Sequence, residues 1–443
     1  MDSKGSKTMK LSMFPLLLLL LFSTFQGCFS QASYHPTNKK STSNGFGSSV
    51  VFPLTGDVYP LGYYSAKVPL GYPPKLYDLD IDSGSDVTWV QCDAPCTGCT
   101  LPRDRLYKPK NNLVLCSHPL CSAVPNQPCE NLNDQCHYEM EYADSGTTLG
   151  VLVNDSFPLR LTNSSVLSPK LTFGCGYDQK DLGPSYPSNT AGVLGLGNGK
   201  ASIVSQLRAQ GIIRNVVGHC LNGQGGGYLF FGDDLVPSSG VVWTPIRNNL
   251  ENHYMAGPAE LFIGGTSTGF KDLQLIFDSG SSYTYFNSKL YSTVVNLVKK
   301  YLIGKPLKEV KDRALPLCWK GSKAFKHTKD FKNYFQPLVL SFPTGRNVQL
   351  QMPPEAYLIL TKNGNVCLGI LHGTEVGLQS YNLIGDISLL DKMVIYDNEK
   401  MQIGWIPSNC NRLPNGDGDY GEDFCQPYAV NFGILEEHCP VRF

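Results

Sequence analysis

Long apolar runs are nearly missing from this 443-residue chain, and the one that exists, Leu11–Phe25, stands at its N-terminus. A membrane-spanning helix needs about 20 apolar residues, so no later segment reads as a span. Charge is sparse too: Asp, Glu, Lys and Arg make up 17% of the residues, and 37 basic groups offset 37 acidic ones. With no net charge and no basic stripe, nucleic acid is not an expected partner. Histidines number only eight and form no HExxH or comparable ligand set, so no metal and no other cofactor is expected.

Glycine (44), proline (30) and aromatic residues are abundant, which suits many short strands joined by tight turns. Two helices are predicted, near Ile203–Gln210 and across Ser288–Tyr301, the latter ending before Gly304-Lys305-Pro306. Candidate hairpins are "GGGYLFFGDD" and "LFIGGTSTGFKDLQLIF". The first apolar run follows Lys4, Lys7 and Lys10 and precedes small residues at Gly27–Ser30, the order of a secretory signal over residues 1–30. An uncleaved anchor is the alternative. Residues 31–47 are polar and read as a flexible leader or short pro-segment.

Cysteine usage fits the same compartment. Of fifteen cysteines, Cys28 lies by the signal and fourteen remain. Cys92, Cys96 and Cys99 in "CDAPCTGC" would suit zinc in a cytosolic protein; in a secreted one disulfides are expected. Asn154-Asp155-Ser156 and Asn163-Ser164-Ser165 are glycosylation sequons, making Asn154 and Asn163 candidate acceptors.

The chain also repeats itself. "DLDIDSGSDVTW" holds Asp82-Ser83-Gly84-Ser85, and "LIFDSGSSYTYF" holds Asp278-Ser279-Gly280-Ser281. Downstream stand "AGVLGLG" (Ala191–Gly197) and "YNLIGDI" (Tyr381–Ile387), with Gly195 lying 113 residues after Asp82 and Gly385 lying 107 after Asp278. One such acid-and-turn string is an ordinary loop; two copies at matched offsets from a second motif predict two related lobes.

If the lobes pack about a pseudo-two-fold axis, Asp82 and Asp278 meet. Two close carboxylates cannot both ionise easily, so the pair holds one proton over an acidic range. The ionised member can then take a proton from water while the other polarises a carbonyl. Gly84 and Gly280 permit close backbone approach. Ser83 and Ser279 are expected to bond across to the opposite loop, and Ser85 and Ser281 to bond the outer carboxylate oxygens. Asp80 shares a strand face with Asp82 and reads as a solvated or turn-stabilising acid.

Two strings mimic other chemistry. "GTSTG" (Gly265–Gly269) fits G-x-S-x-G, but a strand and not a helix follows it, so no nucleophile elbow is expected. "GLGNGKAS" fails the phosphate-loop spacing, with Leu194 and Ala201 where glycine and Ser or Thr are required.

The two acid loops, with "TWVQCDAPCTGC", "EYADSGTTLGV", "FGCGYDQ", "GVLGLGNGKASIVSQL", "FFGDDLVPSSG" and "IYDNEKMQIGWIPSNC", resemble the pepsin-type aspartic endopeptidases, in particular the plant nucellin-like branch, over about residues 50–410. The resemblance implies an all-β-dominated bilobal fold of two pseudo-symmetric antiparallel lobes with a few short helices. The lobes would span residues 48–240 and 241–410, with 411–443 as a C-terminal extension of no assigned role. It further implies a flap tyrosine at Tyr142, whose hydroxyl reaches the indole of Trp89, and an extended peptide or protein substrate cut at acidic pH by a monomer. Ser83 stands where many relatives have Thr, and Ala143 where many have Gly. The leader is short and poor in basic groups, and the chain lacks room for a saposin-like insert.

Nine of the fourteen cysteines precede the second lobe and five follow, so full pairing requires a disulfide between the halves. The pairs expected are Cys220 with Cys410, Cys318 with Cys367, and Cys425 with Cys439. The function read from all this is peptide-bond hydrolysis on an aspartate dyad in the secretory pathway, in cell wall, vacuole or another endomembrane space. The rival reading is an inactive binding or inhibitor protein on the same fold.

Overall fold

The strand Lys75–Asp82 shows how the sequence builds the architecture. Tyr77, Leu79 and Ile81 alternate into the core, so Asp78, Asp80 and Asp82 necessarily share the other face. In the computed structural model, which describes residues 48–413 except 125–128, 144, 181–189, 248–252 and 346–347, short strands of this kind dominate. The signal, the leader and nearly all of the C-terminal extension lie outside the described residues, as do Cys28, Cys425 and Cys439. No described helix is long and apolar enough to cross a membrane.

A thirteen-stranded sheet forms the largest layer among the described residues, accompanied by sheets of eight, four and two strands. Its order mixes the two sequence halves. Val216–Leu221 pairs with Gly227–Phe231 on one side and with Lys392–Asp397 on the other. Lys392–Asp397 in turn pairs with Gln402–Pro407, which pairs with Val242–Pro245. All six residues of Val216–Leu221 are buried.

The same local arrangement occurs twice. The Asp82 strand runs parallel to Gly192–Gly195, with Gly195 opposite Asp82, and Gly192–Gly195 is antiparallel to Trp89–Gln91. In the second half Leu273–Phe277 runs parallel to Asn382–Ile384, with Phe277 opposite Ile384, and Tyr285 meets Leu383 antiparallel.

Helices are few. α1 (Ile203–Ala209) starts on Ser202, whose hydroxyl accepts from the Ser205 amide. α2 (Ser288–Leu302) is capped by Asn287 and buries Leu290, Val294, Val298 and Leu302, one stripe at i+4 spacing, with Lys299 and Lys300 in its last turn. α3 (Asp386–Leu389) is a single buried turn. The "GGGYLFFGDD" string is not a hairpin by itself: its glycines turn the chain, and its one strand finds its partners in Val216–Leu221 and Val50–Leu54. "LFIGGTSTGFKDLQLIF" does fold back, with Thr266–Ser267 and Leu273–Phe277 both pairing with Met255–Ile263. Ser267 there donates to Glu260 on the hairpin, and no nucleophile elbow forms.

Candidate active site

Both acid loops leave the ends of equivalent strands and meet. Ser83 and Ser279 exchange bonds across the contact. The Ser83 hydroxyl donates to the Phe277 carbonyl at 3.2 Å and accepts from the Ser279 amide at 2.9 Å. The Ser279 hydroxyl donates to the Ile81 carbonyl at 3.2 Å and accepts from the Ser83 amide at 3.1 Å. Both serines are buried.

Glycine after each serine is a steric requirement. A Cβ on Gly84 would stand 2.7 Å from Asp278 Oδ1, and one on Gly280 would run into Asp82. Their amides close the loops locally, Gly84 donating to Asp82 Oδ1 at 2.8 Å and Gly280 to Asp278 Oδ1 at 2.9 Å. The Ser85 hydroxyl donates to Asp82 Oδ2. Ser281 differs from its expected role: its hydroxyl donates to the Tyr283 carbonyl at 3.5 Å and not to Asp278. Burial first, and then the Asp82 carboxylate, push the Asp278 carboxyl far above the ordinary range, against the pull of the Gly280 and Gly84 amides.

Several contributors were not foreseen. Thr88 Oγ1 accepts from the Gly195 amide at 3.1 Å, and Thr284 Oγ1 from the Gly385 amide at 3.3 Å, so each acid loop is pinned to its own glycine motif. The signal was present, since each threonine follows its aspartate by six residues. Asp386, within the quoted "YNLIGDI", is 1% exposed, and its Oδ1 has no hydrogen-bond partner. Burial, then Asp278, Asp82 and Asp80, raise its carboxyl well above the usual value. Asp80 is raised likewise by burial, although Thr190 donates to its Oδ2 at 3.2 Å. It is therefore not the solvated or turn-stabilising acid expected, but a strand residue turned inward onto Thr190.

Tyr142 sits at the end of the hairpin made by His137–Glu141 and Thr147–Ser156. Trp89, fully buried, donates from Nε1 to the Tyr142 hydroxyl at 2.7 Å. The region around that pair is stapled by Cys116–Cys129 and Cys121–Cys136. Cys92–Cys175 and Cys96–Cys99 consume the thiols of "CDAPCTGC", leaving none for zinc. Cys220 is bonded to Cys410 and Cys318 to Cys367, while the Cys425–Cys439 pair lies outside the described residues. Asn154 Nδ2 is engaged with Thr172 Oγ1 at 3.1 Å, whereas Asn163 is exposed in a turn. In the "GLGNGKAS" loop the Gly199 amide holds Asp86 Oδ1 at 2.7 Å, so an internal carboxylate occupies that turn.

Two family models match, described as Xylanase inhibitor N-terminal over residues 64–233 and Xylanase inhibitor C-terminal over residues 262–407. An aspartic proteinase of Oryza sativa subsp. japonica is 42% identical, over 84% of this chain and 93% of that protein. Aspartic proteinase 39 of Arabidopsis thaliana is 29% identical, over 84% of this chain and 80% of that one. Among solved structures, conglutin gamma from lupine seeds superposes with a TM-score of 0.65 at 17% identity, over 82% of this chain and 96% of that one. Basic 7S globulin from soybean gives 0.62 at 18% identity, over 82% and 96%. These two share the fold. With two family models over most of the described chain and 42% identity across nearly a whole relative, the chain belongs to the pepsin-like family of plant aspartic proteinases.

Proposed function

We propose that this aspartic proteinase cleaves peptide bonds by activating a water between Asp82 and Asp278. The observation that carries the reading is the interlocked pair of acid loops, in which each glycine makes room for the opposite carboxylate. The raised Asp278 carboxyl suits the member that holds the proton and polarises the scissile carbonyl. Asp82, accepting from Ser85 and Gly84, suits the ionised member that takes a proton from water. Tyr142, tied to Trp89, would cover an extended peptide bound as an added strand. Six disulfides among the described residues support a secreted or endomembrane setting.

The test is cleavage of a denatured protein between about pH 3 and pH 7, the range over which a coupled carboxylate pair titrates. Acid-dependent cleavage is expected, lost in Asp82→Asn, in Asp278→Asn and with a statine-type inhibitor. The descriptions of the family models favour a second reading, an inhibitor of another enzyme. Folded, fully processed protein that cuts nothing at any pH would favour it over the first.

A further inference from the structure

We propose that residues 299–332 form a docking face for an acidic polysaccharide, a chain of uronic-acid sugars, apart from the acid loops. The neutral total charge conceals this face. Residues 299–332 hold eleven lysines and arginines against three acids, leaving 26 bases against 34 acids in the rest of the chain. The cations are spread over several short elements and loops, so they draw no stripe along any one of them. All eleven are exposed. Among the described residues two of them make ion pairs, Lys299 with Glu309 at 2.9 Å and Lys332 with Glu355 at 3.1 Å, and nine make none. The segment's other acids are held by uncharged donors. Asp312 accepts from Asn365 Nδ2 at 2.7 Å and from Thr361 Oγ1 at 3.1 Å. Asp330 accepts from the Lys326 and His327 amides, each at 3.0 Å.

The fold gathers this segment around a recess. Lys308–Val310 pairs with Cys318–Lys320, and the Cys318–Cys367 disulfide ties that strand to its neighbour Val366–Leu368. Lys308 stands directly opposite Lys320. Like charges in that relation disfavour pairing, so strand stability does not account for them. Just beyond Lys320 lies a cavity of about 250 Å³ walled by Pro306, Ser322, Lys323, Phe325, Asp330 and Tyr334, with Gly321 at its edge. Lys323 lines it, and Lys305, Lys320, Lys326 and Lys329 each adjoin a lining residue. Phe325 is anchored from the core side. Its ring lies against Phe331 with centroids 5.5 Å apart, and Phe331 and Trp319 both pack on Phe335. A Cβ on Gly321 would come within 2.8 Å of the Phe325 ring, so the wall in this form requires glycine there.

A uronic-acid unit has a ring with an apolar face, hydroxyls around it and one carboxylate. An aromatic wall, a polar rim and surrounding ammonium groups meet all three. The recess is smaller than the roughly 300–1,000 Å³ of drug-sized sites and suits a single sugar ring. Neighbouring units of the polymer would then carry their carboxylates past the rim lysines. Lysine outnumbers arginine ten to one in the segment, which suits diffuse attraction to a line of carboxylates more than bidentate clamping of phosphates. A lipid surface fits less well. Ile303, 78% exposed, is the one large apolar side chain standing out from residues 299–332, where membrane-surface helices bury a whole apolar face. The disulfides argue for a secretory setting, in which nucleic acid is not the polyanion at hand.

The test is binding of the processed protein to polygalacturonate, with poly-L-glutamate, phosphatidylserine vesicles and single-stranded DNA as comparison polyanions. Polygalacturonate is expected to bind tightest, its affinity falling as salt rises from about 50 to about 200 mM. Lys308→Glu, Lys320→Glu and Lys326→Glu together are expected to lower that affinity about tenfold or more. Lys170→Glu, Lys200→Glu and Lys271→Glu, equally exposed and equal in charge change, should leave it within about twofold. Phe325→Ala is expected to bring polygalacturonate down to the level of poly-L-glutamate, which has no sugar ring. In wild type, bound polymer should shield Lys320, Lys323 and Lys326 from acetylation, a readout that needs no variant to fold. Equal losses in the two triple variants, tighter binding to vesicles or DNA, or unshielded lysines would each overturn the proposal. So would a folded Phe325→Ala protein that still prefers polygalacturonate. None of these readouts uses proteolysis, so they stand whether or not the peptidase reading does.

Discussion

Buried acids that keep their protons make stability depend on pH in the opposite sense to an ion-paired surface carboxylate. Asp386 and Asp80 have folded pKa values raised above their unfolded value. Their contribution is therefore fully present below the unfolded pKa and is lost as pH rises toward the folded one. His219 works against them, because its lowered pKa gives a contribution present above about 6.5 and lost as pH falls toward about 3. Asp386→Asn, nearly isosteric and always neutral, should melt with wild type at pH 4 and several degrees higher at pH 7.5. A lower melting temperature at pH 7.5 would mean that the carboxyl is ionised and paired. Gly84→Ala makes a separate point: with its Cβ 2.7 Å from Asp278 Oδ1, the loop must shift, and kcat should fall by about 100-fold or more. Single-turnover kinetics on folded variant would measure it. The pair of acid loops was legible in the sequence because it is written twice. Asp386 was not, because its counterpart after Gly195 is Leu196, and a repeat draws attention only to what it repeats.

Among the elements, helix α2 was the easiest to read and remains the easiest to perturb. Its apolar stripe, its lysines in the last turn and the glycine beyond placed it to within one residue. The Asn287 side chain accepts from the Leu290 amide at 3.2 Å, satisfying one of the donors that a helix start leaves free. Asn287→Ala should cost about 1 kcal/mol of stability in denaturant titration, with little change in m-value. The hairpin holding Tyr142 was legible only through resemblance, since nothing in the periodicity of "EYADSGTTLG" says that a tyrosine will meet a tryptophan 53 residues away. The single turn α3 was missed for a different reason. Four residues following a strand offer no period to detect, and it is their complete burial that holds them helical.

For the molecule as a whole, the sequence suggested two related lobes, and the largest sheet takes strands from both halves of the sequence. That mixing was hidden because pairings across some 175 residues leave no local pattern, only a matched apolarity in strands far apart. Cys220–Cys410 fastens the same join over a separation of 190 residues. Replacing both cysteines by alanine should lower stability by as much as about 5 kcal/mol if loop entropy dominates, measured by reversible denaturation. The join also bears on how the protein is made. Val216–Leu221 is complete long before its partner Lys392–Asp397 has been synthesised. At about 5–20 residues per second the ribosome needs roughly 10–30 s to cover that interval. For all that time a strand that is buried along its whole length in the finished fold offers one open edge, the kind that recruits other chains. Nascent chains should need a chaperone over this interval, and a product truncated before Lys392 should aggregate instead of accumulating as a folded half.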